Sequence, residues 1–510
     1  MDAPPLAGSR PAGAPAQVEA APYDVLIVGA GLSGIGAARH LQRRCPGKRF
    51  VLLEGRAAIG GTWDLFRYPG VRSDSDMYTL GYDFRPWGGA KLIADGPEIL
   101  EYIRRAAQEG GIEAHIRFGH RVRSASWSSA LACWRVEALR ADGSCAVLHA
   151  RFLQVCSGYF RYDRGHRPEF AGEADFRGTL VHAQFWPEGL DLAGRRVVVV
   201  GSGATAVTLV PALAQQAASV TMLQRSPTYV VTLPAHDPLA RLFAALLPLR
   251  WAYGLTRWKN ILISMLFYQL ARRYPQGMKR RFVGLAQRQL GPDCDAGTHF
   301  TPRYAPWDQR LCIAPDGDLF RAIRAGRAQV VTDTIERFTP AGLRLAGGGE
   351  LAADVVVLAT GLELNVLGDI AVQVDGRPLD PARAMSYKGM MLSDVPNLVA
   401  TFGYTNASWT LKADLTARWT CRLLRYMDRH GRAVAMAPAD PGVAPRPFLG
   451  LSSGYVQRAS ARLPKQGVRA PWQVHQNYLR DLILLRYGRI ADGVLQFSGA
   501  PAPAPGPAHP

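Results

Sequence analysis

An α/β fold of two Rossmann-like dinucleotide-binding units, the second carrying a helical insertion, is predicted by three observations on this 510-residue chain. Two apolar strands, "YDVLIVG" and "RRVVVVG", each run into a glycine turn and then into a helix of small and apolar residues. Each unit continues to a second strand, "FVLLEGR" and "SVTMLQRSP", that ends on a charged residue. Between residues 236 and 300 the pattern changes to long helical periods with apolar faces, "RLFAALLPLRWAYGL" and "NILISMLFYQLARRY". A chain of this length exceeds a single core and divides into domains.

The first turn, "GAGLSG", places Gly29, Gly31 and Gly34 in a GxGxxG pattern with Ser33 inside it. The first glycine permits the tight turn, the second lets a pyrophosphate reach the backbone, and the third lets helix pack on strand. Glu54 follows Gly29 by 25 residues, where a carboxylate accepts the hydroxyls of an adenosine ribose. The second turn, Gly201-Ser202-Gly203-Ala204-Thr205-Ala206, is followed by Arg225 at a spacing of 24 residues from Gly201. A guanidinium there suits the 2′-phosphate of NADP, with Ser226 as a hydroxyl donor, whereas a carboxylate would repel it. The first unit therefore reads as an FAD site and the second as an NADPH site.

A chain holding both nucleotides is a disulfide reductase, a flavin oxygenase or an electron-transfer protein. The reductases need a redox-active cysteine pair beside the first site. The segment "GGTWDLFRYPGVRSDSDMY" has none, which excludes that chemistry. It offers Thr62, Trp63 and Asp64 as further FAD contacts and Asp74 in the polar loop "RSDSD", a pattern that solvated turns share.

"GGTWDLFRYPGVRSD" resembles the second signature of type I Baeyer–Villiger flavin monooxygenases. "FRGTLVHAQFWP" resembles their fingerprint, F-x-G-x-x-x-H-x-x-x-W-P, at Phe176, Gly178, His182, Trp186 and Pro187. Within that family the stretches "SDSDMYTLGY", "GSGATAVTLVPALA", "APWDQRLC" and "GYTNASWTLKADL" are similar to the ethionamide-activating FAD-containing monooxygenases. The resemblance covers roughly residues 22–497 and implies FAD and NADPH as cofactors. It implies a C4a-peroxyflavin that inserts oxygen into ketones and oxidises sulfur in thioethers or thioamides, with O2 and a small lipophilic substrate as partners. It implies Arg310 as the catalytic residue, oriented by Asp74, and Val122 as a backbone contact to adenine. It also implies that the fingerprint connects the two domains, that His182 is structural, and that the segment with Trp409 closes the flavin pocket. Gln309 stands where the family has lysine beside the arginine, which bears on coenzyme affinity. A flavin monooxygenase limited to N- and S-oxidation, and a flavin redox sensor or NADPH oxidase, are the alternatives.

The expected organisation is a disordered segment over 1–22, the FAD domain over 23–165, the fingerprint linker over 166–192 and the NADP domain over 193–345, with its insertion at 236–300. The FAD domain then resumes over 346–497, where "ADVVVLATGLEL" brings Gly361 to the flavin nucleotide, and 498–510 is a Pro- and Ala-rich disordered tail. Hydrophobic residues make up 48%, enough for globular cores. The net charge of +19 comes with only seven lysines among 60 basic residues, a skew that reflects coding bias as much as a basic binding face, and no nucleic-acid partner is expected. Seven cysteines without a CxxC pair point to reduced thiols in the cytoplasm, with no zinc site or other metal. No signal peptide is evident and no apolar run reaches the ~20 residues of a membrane span. The insertion helices serve as a cover on the active site or, with "KRR" at 279–281, also dock peripherally at the inner face of the membrane.

Overall fold

The structure is a computed structural model that describes residues 17–18, 21–89 and 91–499. Its framework is two sheets. The first is mixed and has Tyr23–Val28 near its centre, paired in parallel with Phe50–Leu53 on one side and with the end of Cys145–Val155 on the other. Cys145–Val155 continues outward through an antiparallel meander to Cys133–Arg140 and His120–Ser128. Leu398–Ala400 returns to pair with Leu153–Val155, so the first unit is completed by chain from beyond the second. Helix Leu32–Arg44 packs on this sheet and against helix Trp409–Arg429, which is buried along most of its length.

The second sheet is five-stranded and wholly parallel, in the spatial order Ala328–Thr332, Ser219–Gln224, Arg196–Val200, Val355–Leu358, Thr179–His182. Two boundaries therefore shift from the sequence expectation. Thr179–His182, expected in a linker, is an edge strand of this sheet, and Val355–Leu358, expected in the returning FAD segment, lies between it and Arg196–Val200. Val355–Leu358 is apolar and buried throughout, as a central strand of a covered parallel sheet must be, whereas Thr179–His182 is partly exposed, as its edge position allows.

Between Val230–Leu233 and Cys312–Pro315, themselves a parallel pair, the chain makes helices Pro238–Leu246, Leu249–Arg273, Pro275–Leu290 and Ala296–His299. Asp237 caps the first through the amides of Leu239 and Ala240, and Pro238 occupies the position where a missing N–H is harmless. Of 20 large hydrophobic side chains exposed in the described residues, 13 lie between Leu239 and Tyr274. That concentration marks the insertion as the molecule's apolar surface.

At the termini, Gln17–Val18 pair with Ala146–Val147 and Ser498 pairs with Val434, within the segments expected to be disordered. Residues 1–16, 19, 20 and 500–510, also expected to be disordered, lie outside the described residues.

Candidate active site

The first glycine turn sets the site. A Cβ on Gly34 would stand 1.9 Å from the carbonyl oxygen of Gly29, so only glycine lets the helix start this close to the strand. Gly34 thus does the packing work expected of the third glycine and does not line the cavity. The helix N-terminus beyond it, Leu32 and Ser33, has no side-chain cap and opens onto a cavity of about 470 Å³. At one end of that cavity Glu54 accepts hydrogen bonds from the amides of Ala30 at 2.7 Å and Arg56 at 2.9 Å, which fixes the carboxylate against the turn. Burial raises the Glu54 pKa, against the pull of those two amides. Val122 has its side chain in the core, so the strand reaches the cavity by its backbone. Thr62 and Trp63 line the middle, where Thr62 Oγ1 lies 3.4 Å from the hydroxyl of Tyr162.

At the other end Tyr159 stacks on Trp409 with ring centroids 5.0 Å apart, and Trp409 Nε1 donates to Ser33 Oγ at 2.8 Å. The returning helix is thereby tied to the first glycine turn. Arg310 and Asp74 meet here side-on: Nε lies 2.8 Å from Oδ2, and Nη2 donates to Oδ1 at 3.0 Å. Both side chains remain about a third exposed, at 34% each, on the cavity wall. Burial works to lower the Arg310 pKa, but Asp74 and the nearby tyrosines outweigh it and the group is held charged.

The loop carrying Asp74 is anchored at every charged residue. Arg72 pairs with Asp318 of the second unit, and Asp76 caps a short helix while accepting from Asn260 of the insertion at 2.9 Å. Arg257 is buried and donates to the carbonyls of Tyr78 at 2.6 Å and Gly81 at 2.8 Å. The loop carrying Arg310 is held from the same helix, because Arg272 donates to Asp308 at 2.6 Å. Gln309 makes an isolated bridge with Pro306.

The second turn is more open. Helix Ala204–Leu213 also starts without a side-chain cap, and Ser202 Oγ donates to the carbonyl of Ser226 at 2.9 Å, joining the turn to the exposed end of strand Ser219–Gln224. Arg225 and Ser226 are exposed there, and Ala206 is fully buried in the packing position. Tyr68 is hydrogen-bonded to Thr205, and burial pushes its pKa up to about 12. Gly70 lies so close to Thr208 and Ala212 that a Cβ would meet them at 3.0 and 2.8 Å. The "YPG" stretch is therefore where the first unit packs on the second nucleotide helix.

Two expected contacts are placed elsewhere. Asp64 is buried behind the wall, paired with Arg56 at 2.5 Å, and Arg56 itself lines the cavity. Gly361 follows strand Val355–Leu358 and so stands at the second turn, where Ala359 abuts Gly201 and the carbonyl of Gly361 accepts from His166. Its place in the first cavity is taken by Asn365 and Gly368–Ile370. Sequence reasoning missed these, although "ELNVLGDI" carries the glycine that marks a turn, and it missed Arg458. Burial lowers the Arg458 pKa, Glu363 opposes that, and repulsion from Arg225 adds to it, which sets two guanidiniums at the second turn.

The fingerprint has a structural explanation. Gly178 packs under Phe176 and the carbonyl of Asp354 with no room for a Cβ, and Phe176 meets Phe338 edge-on at 5.7 Å. His182 lies against Gly165, accepts from the amide of Gln184 at 3.2 Å and lines neither turn. Gln184 then donates to the carbonyls of Arg161 at 2.8 Å and Tyr162 at 3.3 Å on the cavity wall. The stretch thus links an edge strand of the second sheet to the wall of the first site.

Two uncapped helix starts, one with a carboxylate beyond it and the other with guanidiniums, together with an arginine–carboxylate pair on the wall of the first cavity, define an oxidoreductase built around two dinucleotides. A flavin-binding monooxygenase-like family model matches residues 93–253, and a NAD(P)-binding Rossmann-like domain matches residues 27–85. The FAD-containing monooxygenase EthA of Mycobacterium tuberculosis is 54% identical over 482 residues, covering 94% of this chain and 98% of that one. Identity of this extent shows the family: the chain belongs to the EthA-type FAD-containing monooxygenases. The fold is shared with an oxidized steroid monooxygenase bound to NADP (TM-score 0.74, 21% identity, 94% of this chain and 100% of that one). It is likewise shared with cyclohexanone monooxygenase in an open crystal form (TM-score 0.73, 20% identity, 94% and 99%).

Burial lowers the His182 pKa below its usual 6.5, opposed by a backbone contact with His166. Below that pH the unfolded chain takes up a proton that the folded chain does not, so this group's contribution to stability is present above pH 6.5 and is lost on acidification. His182→Asn is expected to reduce the slope of unfolding free energy between pH 7 and 5 by up to about 1.4 kcal/mol per pH unit, measured by denaturant titration. An unchanged slope contradicts a His182 kept neutral by the fold.

Proposed function

We propose that this monooxygenase uses NADPH and FAD to insert one atom of O2 into ketones, giving esters, and to oxidise sulfur in thioethers and thioamides, in a reducing, cytoplasmic setting. The observation that carries the reading is the side-on Arg310–Asp74 pair on the wall of the first cavity, close to the second glycine turn through Cys312, whose thiol lies 3.9 Å from the Ser202 carbonyl.

The residues present fit the two cofactors. The first cavity offers a carboxylate for ribose hydroxyls, an uncapped helix start for a pyrophosphate, and an aromatic-walled end for a flat ring system. Glu54, Gly29, Gly31, Ser33, Thr62, Trp63 and the backbone of Val122 would hold FAD. Gly201 to Ala206 with Arg225 and Ser226 would hold NADPH, Arg225 on the 2′-phosphate. When bound, the flavin supplies electron transfer and oxygen activation. Arg310 donates to the negative charge that develops on oxygen as it adds to a carbonyl, where a fixed cation in a site shielded from bulk water stabilises most. Asp74 is a positioning residue: it holds the guanidinium plane and offsets its charge. Tyr159 and Trp409 limit the access of water.

A second reading concerns location. The exposed apolar face between Leu239 and Tyr274 supports peripheral docking on a membrane. No helix among the described residues is long and apolar enough to cross one. Of the "KRR" stretch, Lys279 donates to the carbonyl of Pro302 and does internal work, while Arg280 and Arg281 are exposed and add a basic part to the apolar face.

Three outcomes are expected. Arg310→Ala continues to consume NADPH while ester formation from ketones falls about 10²–10³-fold, as read by mass spectrometry of the products. Ester formation at the wild-type rate would falsify the role of Arg310, and sulfur oxidation without any ester in the wild type would assign the chain to N- and S-oxidation. Arg225→Ala lowers the preference for NADPH over NADH about tenfold or more, since a charge-assisted hydrogen bond contributes about 1.5–3 kcal/mol; equal losses with both coenzymes contradict the assignment. The wild type sediments in part with anionic vesicles, less so in high salt, and changing Trp251, Leu262 and Leu266 to Ser removes the salt-resistant part. Absence of sedimentation leaves the helices as a cover alone.

A further inference from the structure

A second cavity, of about 540 Å³, lies where the long insertion helix meets helices Leu32–Arg44 and Trp409–Arg429, and it shares no lining residue with the first. Its wall carries seven arginines and two aspartates. Both aspartates are already engaged. Asp414 accepts from His40 Nε2 at 2.5 Å and lies 2.9 Å from Arg418 Nε, while Asp83 pairs with Arg418 Nη2. The other six, Arg39, Arg43, Arg44, Arg250, Arg257 and Arg486, have no carboxylate at ion-pair distance among the described residues. Arg257 and Arg44 are occupied with backbone carbonyls and His40, whereas the side chains of Arg43, Arg250 and Arg486 have no hydrogen-bond partner among the described residues.

Like charges brought together from four segments of chain repel one another. The two aspartates of the wall offset only part of this charge, and a concave wall focuses what remains. The effect reaches Arg418, whose pKa is lowered to about 10 by burial and then by repulsion from Arg44 and Arg486. Convergent guanidiniums match phosphate oxygens in geometry and charge. Part of the wall is apolar. Trp258 lines it and is 42% exposed, and Phe84, Pro86 and Leu482 line it as well.

We propose that this cavity binds the phosphate headgroup of an anionic amphiphile, with Arg43, Arg250 and Arg486 on the phosphate and Trp258, Phe84, Pro86 and Leu482 along its chain. The site is separate from the oxygenation chemistry. It uses part of the apolar face invoked for membrane docking, so its test is run without a bilayer and the two readings fail separately.

The FAD-loaded enzyme is titrated calorimetrically with inorganic phosphate, with dodecyl phosphate below its micelle concentration, and with dodecyl maltoside as a neutral chain. Dodecyl phosphate is expected to bind at least tenfold more tightly than phosphate, and the maltoside not to saturate. The combined Arg43→Gln, Arg250→Gln and Arg486→Gln variant, whose side chains make no hydrogen bond or ion pair among the described residues, is expected to lose at least tenfold in affinity while its NADPH oxidation stays at the wild-type rate. Arg225→Ala, which alters the proposed coenzyme phosphate site, is expected to bind dodecyl phosphate within twofold of the wild type. No binding, or binding unchanged in the triple variant, overturns the proposal. Loss of binding in Arg225→Ala moves the anion to the coenzyme turn and overturns it as well. Equal affinity for phosphate and dodecyl phosphate assigns the cavity to a free anion and overturns the amphiphile.

Discussion

The Arg310–Asp74 pair joins two loops that belong to different parts of the chain, and the geometry of the cleft follows from keeping them together. An ion pair at a third exposure gains less from Coulomb attraction than its desolvation and ordering cost unless both partners are already held in place. Here they are. Arg72 and Asp76 fix the acidic loop on either side of Asp74, and Asp308 fixes the basic one two residues before Arg310. Preorganisation of this kind lets a charged donor act on a reacting oxygen without paying for its own reorientation at that moment.

Helix Leu249–Arg273 supplies much of this support. From one face, Tyr253, Arg257 and Asn260 reach the segment that follows Asp74, and one further stretch along the helix Arg272 reaches the loop before Arg310. The buried Arg257 is satisfied by carbonyls at the end of a short helix, where a cation complements the dipole as well as the unpaired acceptors. The insertion is therefore a clamp on both members of the pair as well as a cover. The same helix leaves its opposite face apolar and exposed, and its N-terminal end borders the arginine-lined cavity.

The two nucleotide units meet through packing as well as through the Arg72–Asp318 pair. Gly70 and Tyr68 seat the first unit on helix Ala204–Leu213, and Gln184 carries the fingerprint strand to the wall of the first cavity. Each depends on a small residue or a buried polar group, and such contacts tolerate little change in volume. Close packing accounts for Phe176 and Gly178 of the fingerprint; His182 itself lines neither nucleotide turn.

What the sequence determined by itself were the local features: two glycine turns, the opposite charges of Glu54 and Arg225, and the helical period of the insertion. These are properties of neighbouring residues, and backbone sterics and charge decide them wherever the chain lies. The pairing of Asp74 with Arg310 was legible only through a family resemblance, because 236 positions separate them and nothing in either loop points to the other. Tertiary structure alone decided the rest. Strand Val355–Leu358 entered the second sheet, and that carried Gly361 to the second turn and left Gly368–Ile370 in the first cavity. Asp64 turned inward to Arg56, and arginines from four segments converged on one wall. An apolar strand can join either sheet, and a charge can face solvent, a partner or another charge; the choice rests on which segments the completed fold brings within a few ångströms of each other.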